Sequence, residues 1–180
     1  MTDLYSKFVD SSSVCTDTRK IESNCLFFAL KGDNFDGNLY ADQALEKGAS
    51  FAVIDNPDLQ GNRKILVENV LATLQDLAHF HRKQLKIPIV AITGSNGKTT
   101  TKKLVSEVLS KKFKVRATKG NLNNHIGVPL TLLSFTAELD LGVIEIGANH
   151  QKEIESLCKI AEPNYGYITN FGKAHLEGFG

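Results

Sequence analysis

Lys98 and Thr99 follow directly on a glycine turn, Gly94-Ser-Asn-Gly97, and that combination of residue types handles phosphate. Backbone freedom at Gly94 and Gly97 lets successive N–H groups converge on an anion at a helix N-terminus, where aligned peptide dipoles also favour negative charge. Lys98 adds a point charge for the terminal phosphates, and Thr99 adds a hydroxyl for Mg²⁺. The segment Gly94, Ser95, Asn96, Gly97, Lys98, Thr99 and Thr100 therefore asks for a nucleoside triphosphate. Its G-x-x-G-K-T spacing is shorter than the general pattern G-x-x-x-x-G-K-[ST], whose first glycine would fall at Ile92. A plain glycine turn with a solvated lysine is the alternative.

Three further groups carry chemistry. Glu145 lies near the end of an otherwise apolar run, where a charge is costly unless paired or metal-bound. It could complete a Mg²⁺ site with Thr99 and phosphate oxygens; otherwise it points into solvent. His175 is the second group, although an isolated loop histidine is more often structural or solvated than a ligand. The third is Gly120-Asn-Leu-Asn-Asn-His-Ile-Gly127, rich in donors and acceptors, or else simply a polar turn.

The elements that must position these groups alternate as strand and helix. Ile87, Ile89, Val90, Ala91 and Ile92 form an apolar strand into the turn. The helix after it is expected to bury Leu104, Val105, Val108 and Leu109, with Lys102, Lys103 and Glu107 outward. Phe113, Val115 and Ala117 alternate as a second strand, Leu141 to Ile146 is a third, and Tyr165 to Thr169 a fourth. Ile154, Leu157, Cys158 and Ala161 mark a helix between the last two. This alternation builds a parallel sheet covered on both faces, and ligands of such sheets bind beyond the strands' carboxyl ends.

Residues 1–85 read as a separate, small mixed α/β unit. Leu26 to Leu30 is a short strand followed by a turn-rich loop, Lys31 to Asn38. Ala41, Ala44 and Leu45 space as one helix face ended by Gly48. Phe51 to Ile54 and Ile65 to Val67 are strands, and Val70, Leu74, Leu77, Ala78 and Leu85 recur as a helix leading toward the boundary near Pro88. The fold class is α/β: this small domain, then a P-loop-type parallel-sheet central domain over 86–180.

Composition bounds the possibilities. Hydrophobic residues make up 42% and charged residues 23% of the 180, and 21 Lys+Arg against 20 Asp+Glu leave a formal net charge of +1. Nothing in that balance points to nucleic acid or a membrane surface. No apolar run approaches a bilayer span, the start has no signal-peptide pattern, and a cytoplasmic location is expected. The 3 cysteines, Cys15, Cys25 and Cys158, lack metal-ligand spacing and are expected as reduced thiols.

Taken together, the motifs Thr93-Gly-Ser-Asn-Gly-Lys-Thr99, Gly120 to Pro129, Glu145-Ile-Gly-Ala-Asn149 and Thr169 to Gly180 resemble those of the Mur ligase family. These are ATP-dependent amide-bond-forming enzymes of peptidoglycan precursor synthesis. Asp17-Thr-Arg19, Leu26 to Gly32 and Phe35-Asp-Gly37 are similar to the family's N-terminal, UDP-holding domain. The loops sit nearest to those of the member that adds D-alanyl-D-alanine to UDP-MurNAc-tripeptide. The neighbouring member, which adds the third amino acid, carries a Glu-Val-Ser-Ser-His type motif where this chain reads Glu145-Ile-Gly-Ala-Asn149.

The resemblance implies a reaction and roles. The tripeptide's terminal carboxylate would attack the γ-phosphate of ATP, and the amine of D-alanyl-D-alanine would then displace phosphate from the acyl phosphate. Lys98 and the N–H groups from Asn96 to Thr100 would hold the phosphates, Thr99 and Glu145 a first Mg²⁺, and His175 a second. Lys98 and His175 would be the catalytic pair. Asn123 and Asn124 would contact the MurNAc or peptide part, and Thr18, Arg19 and Lys31 the UDP. Family members are expected to be monomers with a further C-terminal domain, so a chain ending at Gly180 is expected to be truncated and inactive alone. The competing readings are the ligase of the third amino acid, a folate-polyglutamate type ligase, and a non-catalytic P-loop module.

Overall fold

The run Leu26-Phe-Phe28 offers no polar position to solvent, so any sheet containing it needs cover on both faces. The computed structural model describes residues 1–172 and supplies that cover. The chain forms two units, Met1–Leu77 and a second beginning at Ala78.

The first unit runs through α1 (Thr2–Val9), β1 (Val14–Cys15), β2 (Leu26–Phe28), β3 (Lys31–Gly32), β4 (Phe35–Asp36), α2 (Ala41–Glu46), β5 (Phe51–Ile54), β6 (Lys64–Leu66) and the start of α3 (Val70–Gln84). Its main sheet has the order β1-β2-β5-β6 and is parallel throughout. Antiparallel pairing is confined to β3 and β4, a two-residue ladder inside the turn-rich loop. Cys25, Phe27 and Ala29 pack on the alanine face of α2, Ala41 and Ala44, where small side chains allow close approach. Leu26, Phe28 and Val53 alternate to the other face and are equally buried. Helix α1, which the sequence reading leaves out, buries Leu4 and Phe8. Cys15, Cys25 and Cys158 are free thiols, and only Cys25 is fully buried.

The second unit continues from α3 through β7 (Ile89–Thr93), α4 (Lys98–Leu109), β8 (Val115–Ala117), α5 (Gly127–Leu133), β9 (Leu141–Glu145), α6 (Glu153–Ala161) and β10 (Tyr165–Ile168). These strands form a parallel sheet in the order β10-β7-β9-β8. Arg82, 8% exposed, donates to the carbonyls of Leu85, Ile87, Ala161 and Glu162 and to Asn164 Oδ1. One cation thus satisfies orphan carbonyls at the ends of α3 and α6, as a helix C-terminus favours. Asn164 Oδ1 in turn accepts the Ile89 N–H at 2.8 Å, which seats the start of β7.

Two expectations need correction here. Leu104 and Val108 are 63% and 71% exposed, whereas Lys102 is 4% exposed. Hydrophobic periodicity marks apolar positions only; the helix turns Val105, Leu109 and a lysine toward the sheet because a buried carboxylate there needs a partner. Cover on both faces also fails at β10, whose four residues are all exposed.

Candidate functional site

Register sets the site. Ile92 stands opposite Glu145 and Thr93 opposite Ile168, so β7, β9 and β10 end level and their following loops converge. Ligands of open parallel sheets bind beyond such carboxyl ends.

The loop after β7 has left-handed residues at both ends, Gly94 with φ +130° and Gly97 with φ +77°. At Gly94 a side chain is excluded twice, by that backbone angle and because a Cβ would run into Thr169 Oγ1. Helix α4 starts at Lys98 without a side-chain cap. Among the described residues, the N–H groups of Lys98, Thr99 and Thr100 have no acceptor, which is the condition for anion binding. Lys98 Nζ curls back onto the loop carbonyls of Gly94 (2.7 Å) and Ser95 (3.3 Å).

Asn96 behaves differently from the expectation. Its N–H is given to Asn170 Oδ1 at 3.1 Å, and its carbonyl accepts from Thr169 Oγ1 at 2.5 Å. Ser95 and Gly172 exchange two hydrogen bonds of 2.9 Å. The loop after β10 thus braces the phosphate loop, a role the sequence reading does not assign to Thr169 or Asn170.

Glu145 closes β9 and is 1% exposed; the solvent-facing alternative is excluded. Its Oε1 accepts from Thr99 Oγ1 (3.2 Å) and Asn123 Nδ2 (2.8 Å). Lys102 Nζ lies 3.0 Å from Oε2 and donates to the Gly120 carbonyl at 2.8 Å. Among the described residues Oε2 accepts no hydrogen bond of good geometry. Burial pushes the Glu145 carboxyl up, but Lys102, Asn123 and Thr99 outweigh it and hold the group below its ordinary value. The Glu145 N–H is anchored on Thr118 Oγ1 at 3.0 Å. A cavity of 510 Å³ lies alongside, lined by Thr99, Lys102, Ser106, Thr118, Gly120 and Asn121.

The asparagine loop divides its labour. Asn123 spends its amide on Glu145, while Asn124 Oδ1 caps α5 by accepting from Ile126 and Gly127 N–H at 3.1 and 2.9 Å. That cap and Pro129 in the first turn were the readable signals for α5, which the sequence reading leaves out. In the first unit Arg19 is clamped by Asp17 in a 2.8 Å ion pair, and Lys31 pairs with Asp55 at 2.7 Å. The Thr18 carbonyl accepts from Lys47 Nζ. His175 lies outside the described residues.

The donor set at Thr99 and Glu145 is one hydroxyl and one carboxylate. No group of three or more His, Cys, Asp or Glu among the described residues could hold a metal. A donor set of one hydroxyl and one carboxylate suits Mg²⁺, which keeps several waters and binds through one carboxylate and substrate phosphates.

Residues 11–93 match the profile "Mur ligase family, catalytic domain" and residues 92–180 match "Mur ligase middle domain". The chain belongs to the Mur ligase family. A curated Mur ligase relative, the UDP-N-acetylmuramoyl-tripeptide--D-alanyl-D-alanine ligase of Escherichia coli K12, is 42% identical over 99% of this chain and 39% of its own length. The crystal structure of MurF from Acinetobacter baumannii superimposes with TM-score 0.87 at 34% identity, covering 97% of this chain and 41% of that one. MurF ligase from Thermotoga maritima, in complex with ADP, gives TM-score 0.77 at 33% identity over 87% of this chain and 36% of its own. The chain spans under two fifths of the length of the first curated relatives it matches. No helix among the described residues is long and apolar enough to cross a membrane.

Proposed function

We propose that the protein acts as an ATP-dependent amide-bond ligase that adds D-alanyl-D-alanine to UDP-MurNAc-tripeptide in peptidoglycan precursor synthesis. The observation that carries this reading is the meeting of Thr99 and Glu145 at 3.2 Å, below a phosphate loop whose helix N–H groups are free of acceptors among the described residues. A carboxylate and an amine do not condense at neutral pH, so the tripeptide carboxylate first attacks the γ-phosphorus of ATP and releases ADP. The amine then adds to the acyl phosphate, and the tetrahedral intermediate expels inorganic phosphate.

The chain's own residues do the positioning. The N–H groups of Lys98, Thr99 and Thr100 bind phosphate oxygens, and Lys98 Nζ leaves the Gly94 carbonyl for the terminal phosphates. Gly94, Ser95, Asn96 and Gly97 shape the loop, and the 169–172 segment holds it. Thr99 and Glu145 would hold Mg²⁺, which would supply charge neutralisation between two anionic reactants. His175 would serve a second Mg²⁺. Asn123 and Asn124 face the MurNAc-peptide part, and Thr18, Arg19 and Lys31 the UDP, with 1–85 as the UDP-binding domain and 86–180 as the ATP-binding one. The protein works as a cytoplasmic monomer without nucleic acid.

The curated relatives named for this D-alanyl-D-alanine activity support the choice of amine. The test is phosphate release by the full-length protein with ATP, Mg²⁺, UDP-MurNAc-tripeptide and D-alanyl-D-alanine, each withheld in turn. Release that requires all four is expected. Release supported by a single amino acid and the dipeptide-bearing precursor would move the enzyme one step earlier, and ATP binding without any release would leave a non-catalytic module.

A further inference from the structure

Lys102 is the buried charge that the ligase reading leaves without a task. It sits on α4 one turn after the phosphate loop with its side chain 4% exposed, and a lysine held there has to be compensated. Among the described residues its ammonium has two partners, Glu145 Oε2 at 3.0 Å and the Gly120 carbonyl at 2.8 Å. Among the described residues, everything else that touches the Glu145 carboxylate is neutral: the Thr99 hydroxyl and the Asn123 amide both go to Oε1. Glu145 contributes one negative charge and Lys102 one positive, so the pair presents no net charge to an incoming cation.

We propose that Lys102 is a positioning residue that keeps the Thr99–Glu145 site electrically neutral, so that a divalent cation enters only together with the nucleotide's phosphates. The inference rests on the reading of Thr99 and Glu145 as the Mg²⁺ site. Mg²⁺ gives up its water reluctantly and needs local negative charge to do so. A carboxylate whose second oxygen faces an ammonium does not provide it; a polyphosphate seated on the α4 N-terminus does. The same ammonium holds the Gly120 carbonyl, which ties the start of the asparagine loop to the helix that receives the nucleotide. The site is thereby protected from a metal ion that arrives without its nucleotide.

The test uses Mn²⁺ as the probe, with free Mn²⁺ read by electron paramagnetic resonance. Without nucleotide, wild-type protein should leave Mn²⁺ free up to about 1 mM, the weak end of oxygen-ligand sites. Lys102→Met and Lys102→Gln, each checked for fold by circular dichroism, should bind it at least about tenfold more tightly, because a unit charge a few ångströms away has been removed. Lys102→Arg should match wild type. With a non-hydrolysable ATP analogue, which itself chelates Mn²⁺, the metal retained with the protein is read by equilibrium dialysis against the analogue alone; all four proteins should retain it, and Glu145→Gln should not. Equal, weak Mn²⁺ binding by wild type and both neutral variants without nucleotide, with analogue-dependent binding intact, overturns the role of Lys102. So does tight nucleotide-free binding by wild type that Glu145→Gln abolishes, a result that needs no Lys102 variant to fold. Mn²⁺ that no protein retains even with the analogue overturns the Thr99–Glu145 site itself, and the role of Lys102 with it.

Discussion

Each unit ends a central parallel strand in a carboxylate and serves it with a lysine and an asparagine. In the first, Asp55 follows β5 and takes Lys31 Nζ at 2.7 Å, Asn38 Nδ2 at 2.9 Å and the Val70 N–H at 3.2 Å. In the second, Glu145 ends β9 and takes Lys102, Asn123 and Thr99. The chemistry of the partners is nearly the same, yet the outcomes differ. Both oxygens of Asp55 accept good hydrogen bonds, one of them from the first turn of α3, and its lysine is 48% exposed. That carboxylate is used up in joining strand, loop and helix. Glu145 keeps one oxygen without a well-formed hydrogen bond among the described residues, faces a fully buried lysine, and touches the first turn of a helix that has no cap. An oxygen left without a well-formed hydrogen bond beside an uncapped helix end, rather than the mere presence of a strand-end carboxylate, separates the proposed ligand site from a structural joint.

The largest expected effect tests that contrast directly. Glu145→Ala leaves Lys102 buried without a counter-charge and should destabilise the protein by about 3–5 kcal/mol in urea denaturation. Asp55→Ala should cost about 2 kcal/mol, because Lys31 can return to water and the main penalty is the unsatisfied Asn38 amide and Val70 N–H. A larger loss at Asp55 than at Glu145 would break the comparison. Acid should sharpen it. Both carboxyls are held below their ordinary values of 4.5 and 3.8: burial opposes this in each case, outweighed by Lys102 at Glu145 and by Lys31 at Asp55. A lowered folded value means stability that is present above the unfolded value and lost as pH falls through the folded one. The stability gap between wild type and Glu145→Gln should therefore be constant at neutral pH and close only below pH 4.5. The smallest effect belongs to Arg19→Ala. The guanidinium is 85% exposed and its pair with Asp17 is solvated, so thermal unfolding should not shift measurably, whereas UDP protection of the first unit should weaken if Arg19 serves the substrate.

Much of the frame was legible because it obeys local rules. The strand before the turn, the glycines at 94 and 97, the helix stop at Gly48 and strand β5 over Phe51 to Ile54 follow from apolar runs and turn residues. Glu145 was singled out by the cost of a charge in an apolar strand, and its burial bears that reasoning out. Lys102 was misplaced for the complementary reason: on a helical wheel it is a lysine among polar neighbours, and the carboxylate that draws it inward lies 43 positions further along the chain. Asn170 bracing Asn96 escaped for the same cause, since the two meet only after β10 pairs with β7. Helix α5 was missed although its asparagine cap was in plain view, because the same asparagines were read as ligand contacts.

The sequence by itself determined that a glycine turn joins an apolar strand to a helix, where it lies, and that a carboxylate ends a further apolar run, because strand, turn and helix propensities act over a few residues. Only the tertiary structure decided that Thr99, Glu145, Asn123 and Lys102 form one network, that Lys102 is inside rather than out, and that the loop after β10 holds the phosphate loop. Those contacts depend on the order β10-β7-β9-β8 and on its register, which level the strand ends and bring together residues far apart in the chain.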